Sequence, residues 1–177
     1  MVDVDRMTDQ QIIDQALLLL HSQHYRLAKR LSPRQPETLS VEQLRHSELG
    51  QDLARLSAIA RSEIREDRER VLNVIDDVLS VLFTPPYGEG YTVPRSFWES
   101  DFGRMLSMAK YRAYEPTELI SIGNAAQKLG VTRPTIYRWM DDRVLGYVRD
   151  EMSGRTFVVR EDVEALRHQG SGAVEEQ

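Results

Sequence analysis

Ser121-Ile122-Gly123-Asn124-Ala125-Ala126-Gln127-Lys128-Leu129-Gly130-Val131-Thr132-Arg133-Pro134-Thr135-Ile136-Tyr137-Arg138-Trp139-Met140 is the stretch that decides how this chain is read. Apolar residues recur at three- and four-residue spacing on both sides of Gly130, which predicts two helices joined by a tight turn. Ala125 and Ala126 give the first helix a small inner face, so a second helix can cross it closely, with Ile122 and Leu129 buried against that partner. Gly130 stands where the first helix ends and a positive φ is needed. Val131 plugs the turn. Thr132 is placed as an N-cap, which leaves Arg133 and Pro134 in the first turn, where a proline costs little. The second helix is predicted over residues 133–140. Ile136 and either Trp139 or Met140 face inward; Arg133, Thr135, Tyr137 and Arg138 face outward, with no acid among them.

The segments that follow extend the pattern. Leu145-Gly146-Tyr147-Val148-Arg149 and Thr156-Phe157-Val158-Val159-Arg160 are strand-like, and the polar turn Asp150-Glu151-Met152-Ser153-Gly154-Arg155 lies between them. This predicts a β-hairpin. Residues 161–166 then predict a short helix that covers the sheet with Val163 and Leu166. An outward helix face of Arg, Thr and Tyr suits nucleic acid: Arg pairs bidentately with guanine N7 and O6, Thr meets a base edge or methyl group, and hydroxyls meet phosphates. Arg149 and Arg155 on the hairpin are placed to reach an adjacent groove or the backbone.

Residues 118–168 resemble the excisionase-type, MerR-like winged helix-turn-helix domain of bacteria and phages. The alanine pair, the Leu129-Gly130-Val131 turn, Thr135-Ile136-Tyr137-Arg138, the short wing and Asp162-Val163 in the closing helix each have a counterpart in that family. The resemblance implies sequence-specific binding of double-stranded DNA, with the recognition helix in the major groove and the wing beside it. It places Asn124, Lys128, Thr132, Arg133, Thr135, Tyr137, Arg138, Arg149 and Arg155 on the DNA-binding surface. It covers less than a third of the chain.

Charge departs from the family pattern. Asp141-Asp142 follow the recognition helix, Asp150-Glu151 open the wing turn, and residues 116–169 carry eight Lys/Arg against eight Asp/Glu. Affinity for DNA rests largely on phosphate neutralisation, so one neutral domain is expected to bind weakly. Dimerisation, several copies on one DNA, or a protein-facing surface would each answer that neutrality.

The whole chain has 177 residues, 41% hydrophobic and 29% charged, and a net charge of −5. Its pI is near 5.4. That suits a mainly α-helical globular protein in which a DNA-binding part is a minor fraction. With no cysteine there are no disulfides, thiolate metal sites or thiol chemistry. Met1-Val2-Asp3-Val4-Asp5 lacks the basic start of a signal peptide, and the apolar run 16–20 is too short to span a bilayer, so a cytoplasmic, nucleoid-associated protein without membrane contact is expected.

Four regions are predicted. Residues 1–83 form a helical bundle or dimerisation region, 84–117 a linker and connector helix, 118–169 the winged domain, and 170–177 a disordered tail. In the first region a helix spans residues 9–31, opened by a Thr8/Gln11 capping box and stopped by Ser32-Pro33. Ile13, Ala16, Leu17, Leu20, His24 and Leu27 make its buried stripe. From Ser40 the pattern Leu44, Leu53, Leu56, Ala60, Ile64, Val71, Val78, Leu82 predicts one long helix or two stacked ones, with Gly50 a possible break and the mixed charges of residues 61–70 a solvated helical middle. Residues 84–94, rich in proline and glycine, exclude a regular helix, and Tyr87 and Tyr91 are placed to pin the segment to a neighbour. A connector helix over residues 96–114 opens with a Ser96/Glu99 cap and aligns Trp98, Phe102, Met105 or Leu106, and Ala109, a face for internal packing or for a protein partner.

Catalysis is not expected. His21 and His24 share a helix face without carboxylates at ligand spacing, so no metal or other cofactor is expected. Asp76-Asp77 and Asp141-Asp142 are adjacent on helices and diverge by about 100°. No phosphate loop, dinucleotide fingerprint or nucleophile elbow occurs. Three functions fit. One is a transcriptional regulator that homodimerises through its N-terminal helices. Another is an excisionase-like architectural or recombination factor, or an antitoxin. The third is a protein-interaction adaptor with a degenerate winged helix.

Overall fold

The computed structural model describes residues 7–85 and 90–172. The protein is mainly helical, with a small three-stranded antiparallel sheet in its C-terminal part. It divides into two compact units, residues 1–109 and 110–177. The first five residues, Tyr87 and the tail beyond Gly172, about which expectations were stated above, lie outside the described residues.

In the first unit, helix α1 (Asp9–Leu31) begins at the Thr8 capping box: the Gln11 N–H donates to the Thr8 hydroxyl at 3.3 Å, and the Thr8 N–H donates to Gln11 Oε1 at 2.8 Å. Ile12, Ile13, Ala16 and Leu17 are buried. The expected stripe does not stay buried, however. Leu20 is half-buried, and His24 and Leu27 are exposed, because α1 packs on α2 (Val41–Arg45) and α3 (Glu48–Ala60) through its N-terminal half. Arg45 clamps that half with a bidentate pair to Asp14 (2.8 and 2.6 Å), which holds the Asp14 carboxyl below the usual range.

Gly50 does not break a helix. It lies in the first turn of α3, where a Cβ would stand 2.3 Å from the Leu44 carbonyl oxygen, so its lack of a side chain lets α2 press against α3. The expected helix through residues 61–70 is corrected. The α3 helix ends at Ala60 with Arg61 as its C-cap, Ser62 takes φ 62°, and α4 (Arg68–Phe83) starts afresh with Asp67 as N-cap. The mixed charges bridge the break instead of lining a helix: Arg61 pairs with Asp9 at 3.0 Å and Glu63 at 2.9 Å, and Arg55 with Glu66 at 3.0 Å.

The connector also differs from expectation. It is two helices, α5 (Arg95–Glu99) and α6 (Asp101–Arg112), and the cap is Ser100, whose hydroxyl accepts from the Gly103 N–H at 3.1 Å, not Ser96. Phe97 gathers Phe83, Trp98 and Phe102 edge-on around it. In the proline-rich segment, the Tyr91 hydroxyl donates to Asp76 on α4.

In the second unit, strand β1 (Leu119–Ser121) leads into α7 (Ile122–Leu129) and α8 (Arg133–Asp141), then a hairpin of β2 (Tyr147–Asp150) and β3 (Arg155–Val159), and finally α9 (Arg160–Gly172). The sheet order is β1-β3-β2, with Leu119 opposite Val159 and Val148 opposite Phe157. Ile120, Ile136, Leu145, Val158 and Val163 form its core. The third strand was not expected, and α9 runs three residues into the segment read as a disordered tail.

Leu53 and Ile136 have no exposed surface, so Leu53→Ala and Ile136→Ala should each cost about 2–5 kcal/mol. Arg45→Ala, removing a partly exposed ion pair, should cost about 1 kcal/mol or less. Urea unfolding of the three variants checks this order; an Arg45→Ala loss as large as the other two contradicts it.

Candidate nucleic-acid interface

The Ser121 hydroxyl caps α7 by accepting from the Asn124 N–H at 3.2 Å. At the other end Gly130 is left-handed (φ 64°, ψ 28°), and its N–H reaches the Ala126 and Gln127 carbonyls. The Val131 N–H then donates to the Ala126 carbonyl at 3.0 Å. This turn brings α8 back across α7 at Ala125 and Ala126, both buried, with Ile136 on the facing helix. Met140 is buried beside Ile136, while Trp139 is half-buried against the same core. After α8, Arg143 adopts φ 59°, and the Val144 and Leu145 N–H groups both donate to the Trp139 carbonyl, which turns the chain into β2.

Burying Ile136 and Met140 forces the opposite face of α8 outward. Tyr137 (51% exposed), Arg138 and Pro134 lie there. Arg138 makes no ion pair among the described residues, and neither does Arg155, exposed where β3 leaves the hairpin turn. Arg133 is exposed, and its guanidinium lies over the first turn of α7, where a Cβ on Gly123 would be 3.1 Å from its Nη2. Thr132 and Thr135 share a hydroxyl contact at 3.0 Å at the head of α8, Thr135 half-buried and Thr132 exposed. Asn124 is exposed on α7.

Two cations of the expected surface are already neutralised. Lys128 Nζ lies 3.4 Å from Glu164 on α9, and Arg149 Nε lies 3.5 Å from Glu151. Because α8 extends one residue beyond the expected end, exposed Asp141 joins the same face, one turn beyond Tyr137 and Arg138. The outward face therefore carries an acid at its C-terminal end.

Sequence reasoning missed several residues at this site. Tyr147 is exposed on β2, and Lys110 Nζ stands 5.5 Å from its ring centroid; burial pushes the Lys110 ammonium below its usual pKa. Tyr111 stacks on Phe157 with centroids 6.1 Å apart. Arg160 donates to the Thr117 and Leu119 carbonyls at 2.7 and 3.3 Å, fixing the start of β1. The family pattern has no slot for Lys110 or Tyr111, which precede the resembling stretch. Tyr147 alternates outward on its strand, and that was the available signal.

Asp150 organises the hairpin turn. It accepts from the Ser153 hydroxyl and from the Met152 N–H (3.0 Å), and these bonds hold its carboxyl below the usual range, the serine first. Among the described residues, no group of three His, Asp or Glu side chains is placed to hold a metal, and no helix is long and apolar enough to cross a membrane. Comparison with protein-family models, with curated proteins and with solved structures finds no match.

A carboxyl depressed in the folded state stabilises above its unfolded pKa, and that contribution is lost as pH falls through the folded pKa. Asp150→Ala should thus lower the melting temperature at neutral pH, and the gap to the wild type should close as pH drops below about 4. A gap independent of pH contradicts the assignment.

Proposed function

We propose that residues 118–169 form a winged helix-turn-helix that binds double-stranded DNA, with α8 in the major groove and the β2–β3 hairpin as the wing. The observation that carries this reading is the pairing of a buried seam with an open face: Ile136 and Met140 are locked inside, so Tyr137 and Arg138 project outward, exposed, with the Arg138 charge unspent on any carboxylate among the described residues. Arg155 offers a second free cation beside the hairpin turn, and Arg133 a third over the first turn of α7. The protein would act as a non-enzymatic regulator in a bacterial cytoplasm. A two-fold dimer joined through the N-terminal helices would read half-sites roughly one helical turn apart, which answers the weakness of a single neutral domain.

A second reading has a specific observation behind it. Glu164, Glu151 and Asp141 neutralise or flank the cationic surface, as would suit an adaptor whose open α8 face meets protein.

Selection from a random duplex pool, followed by titration of the enriched site, separates the two. The DNA reading expects a defined site and an affinity that falls with salt. Arg138→Ala should lose about 1–3 kcal/mol of discrimination at one base pair. Arg155→Ala should weaken all sequences alike. Absence of binding in dilute salt leaves the adaptor; binding without sequence preference marks an architectural role.

A further inference from the structure

The apolar stripe of α1 does not end where its own unit stops covering it. Ile13, Ala16 and Leu17 are buried, and Leu20, His24, Leu27 and Leu31 follow at the same three- and four-residue spacing on the same side of the helix. Leu27 is 59% exposed and Leu31 75%. With Ala28, Ser32 and Pro33 they line a shallow, open depression of about 460 Å³ along the end of this one helix. Large apolar side chains left uncovered in a continuous row mark an interaction surface.

Charge says what kind of partner fits. No Asp or Glu occurs between Asp14 and Glu37, whereas Arg26, Lys29, Arg30 and Arg34 all do. Elsewhere in the unit Arg45, Arg55, Arg61 and Arg70 each hold a carboxylate. Arg26, Lys29, Arg30 and Arg34 hold none among the described residues, and all are exposed. A second copy laid on this groove through the same surface would bring like charges together. A phosphate backbone would satisfy the cations but not Leu27 and Leu31. A lipid surface asks for a broad apolar helix face, and here the large exposed apolar side chains of the stripe are Leu27 and Leu31. We infer that the C-terminal half of α1 is a docking groove for an acidic amphipathic helix of a partner protein. Apolar side chains at three- and four-residue spacing enter between Leu27 and Leu31, and flanking carboxylates meet Arg26, Lys29, Arg30 and Arg34.

The test uses the full chain and a fluorescein-labelled helical peptide with leucines at three- and four-residue spacing flanked by glutamates. Controls carry the same residues in scrambled order or lysine in place of glutamate. The patterned acidic peptide should bind and the two controls should not. Leu27→Asp with Leu31→Asp, both exposed and so expected to leave the melting temperature unchanged, should weaken it by about tenfold or more. Lys29→Glu with Arg30→Glu should shift preference from the glutamate peptide to the lysine peptide. Indifference of binding to both double variants overturns the proposal. So does failure of the patterned peptide to bind, preferential binding to phosphatidylglycerol vesicles or duplex DNA that the leucine pair abolishes, or a dimer seen by sedimentation that the same pair dissolves.

Discussion

The seam between α7 and α8 is the contact on which the C-terminal unit depends. Ala125 has no exposed surface and Ala126 almost none, so the two helices approach closely enough for Ile136 to be sealed between them and the sheet. Gly130 makes that approach possible by taking a left-handed conformation that costs other residues energy. Once Ile136 is inside, the helical period leaves Tyr137 and Arg138 no choice but to face out. The three-stranded sheet and α9 close the same core from the other side through Val158 and Val163. Packing, not the charges themselves, thus decides which cations are displayed.

Electrostatics then divides those cations into two kinds. Lys128 and Arg149 are engaged with Glu164 and Glu151, while Arg133, Arg138 and Arg155 are not paired with carboxylates among the described residues. Exposed ion pairs of this sort are weak, so a stronger polyanion could compete for the first two. A domain of zero net charge can still present a local positive surface, but its long-range attraction for DNA is small. DNA binding by such a domain would rest on a few close contacts, and a second copy of the domain on the same duplex would double them. In the N-terminal unit the contrast is similar: Arg45 and Arg61 are paired and brace the bundle, while Arg26, Arg30 and Arg34, without ion pairs among the described residues, lie at the C-terminal end of α1 and just beyond it.

Legibility in the sequence followed the range of the interactions. Capping at Thr8 and Ser40, the positive φ at Gly130 and the inward set of α8 are local, and residues within one turn announce them. Strand β1 is three residues whose only signal is pairing with β3, nearly forty positions away, so periodicity could not reveal it. The break at residues 61–67 was hidden because Arg61, Glu63 and Glu66 fit the spacing of a solvated helix, while Arg61 and Glu66 also reach Asp9 and Arg55 on other helices. Spacing also told which side of α1 is apolar but not where its cover ends, and so Leu27 was expected inside. At the site, the outward residues of α8 were readable one by one. The pairing of Lys128 with Glu164 across the unit, and the fold-back of Arg133 onto Gly123, were not.

The most direct test of the central claim, that the seam presents α8 to a major groove, is methylation interference on the selected duplex. Modifying guanine N7, which lies in the major groove, should block binding at one or two guanines per half-site, and Arg138→Ala should abolish the interference at one of them. Interference confined to adenine N3 in the minor groove, or a pattern unchanged by Arg138→Ala, would contradict it.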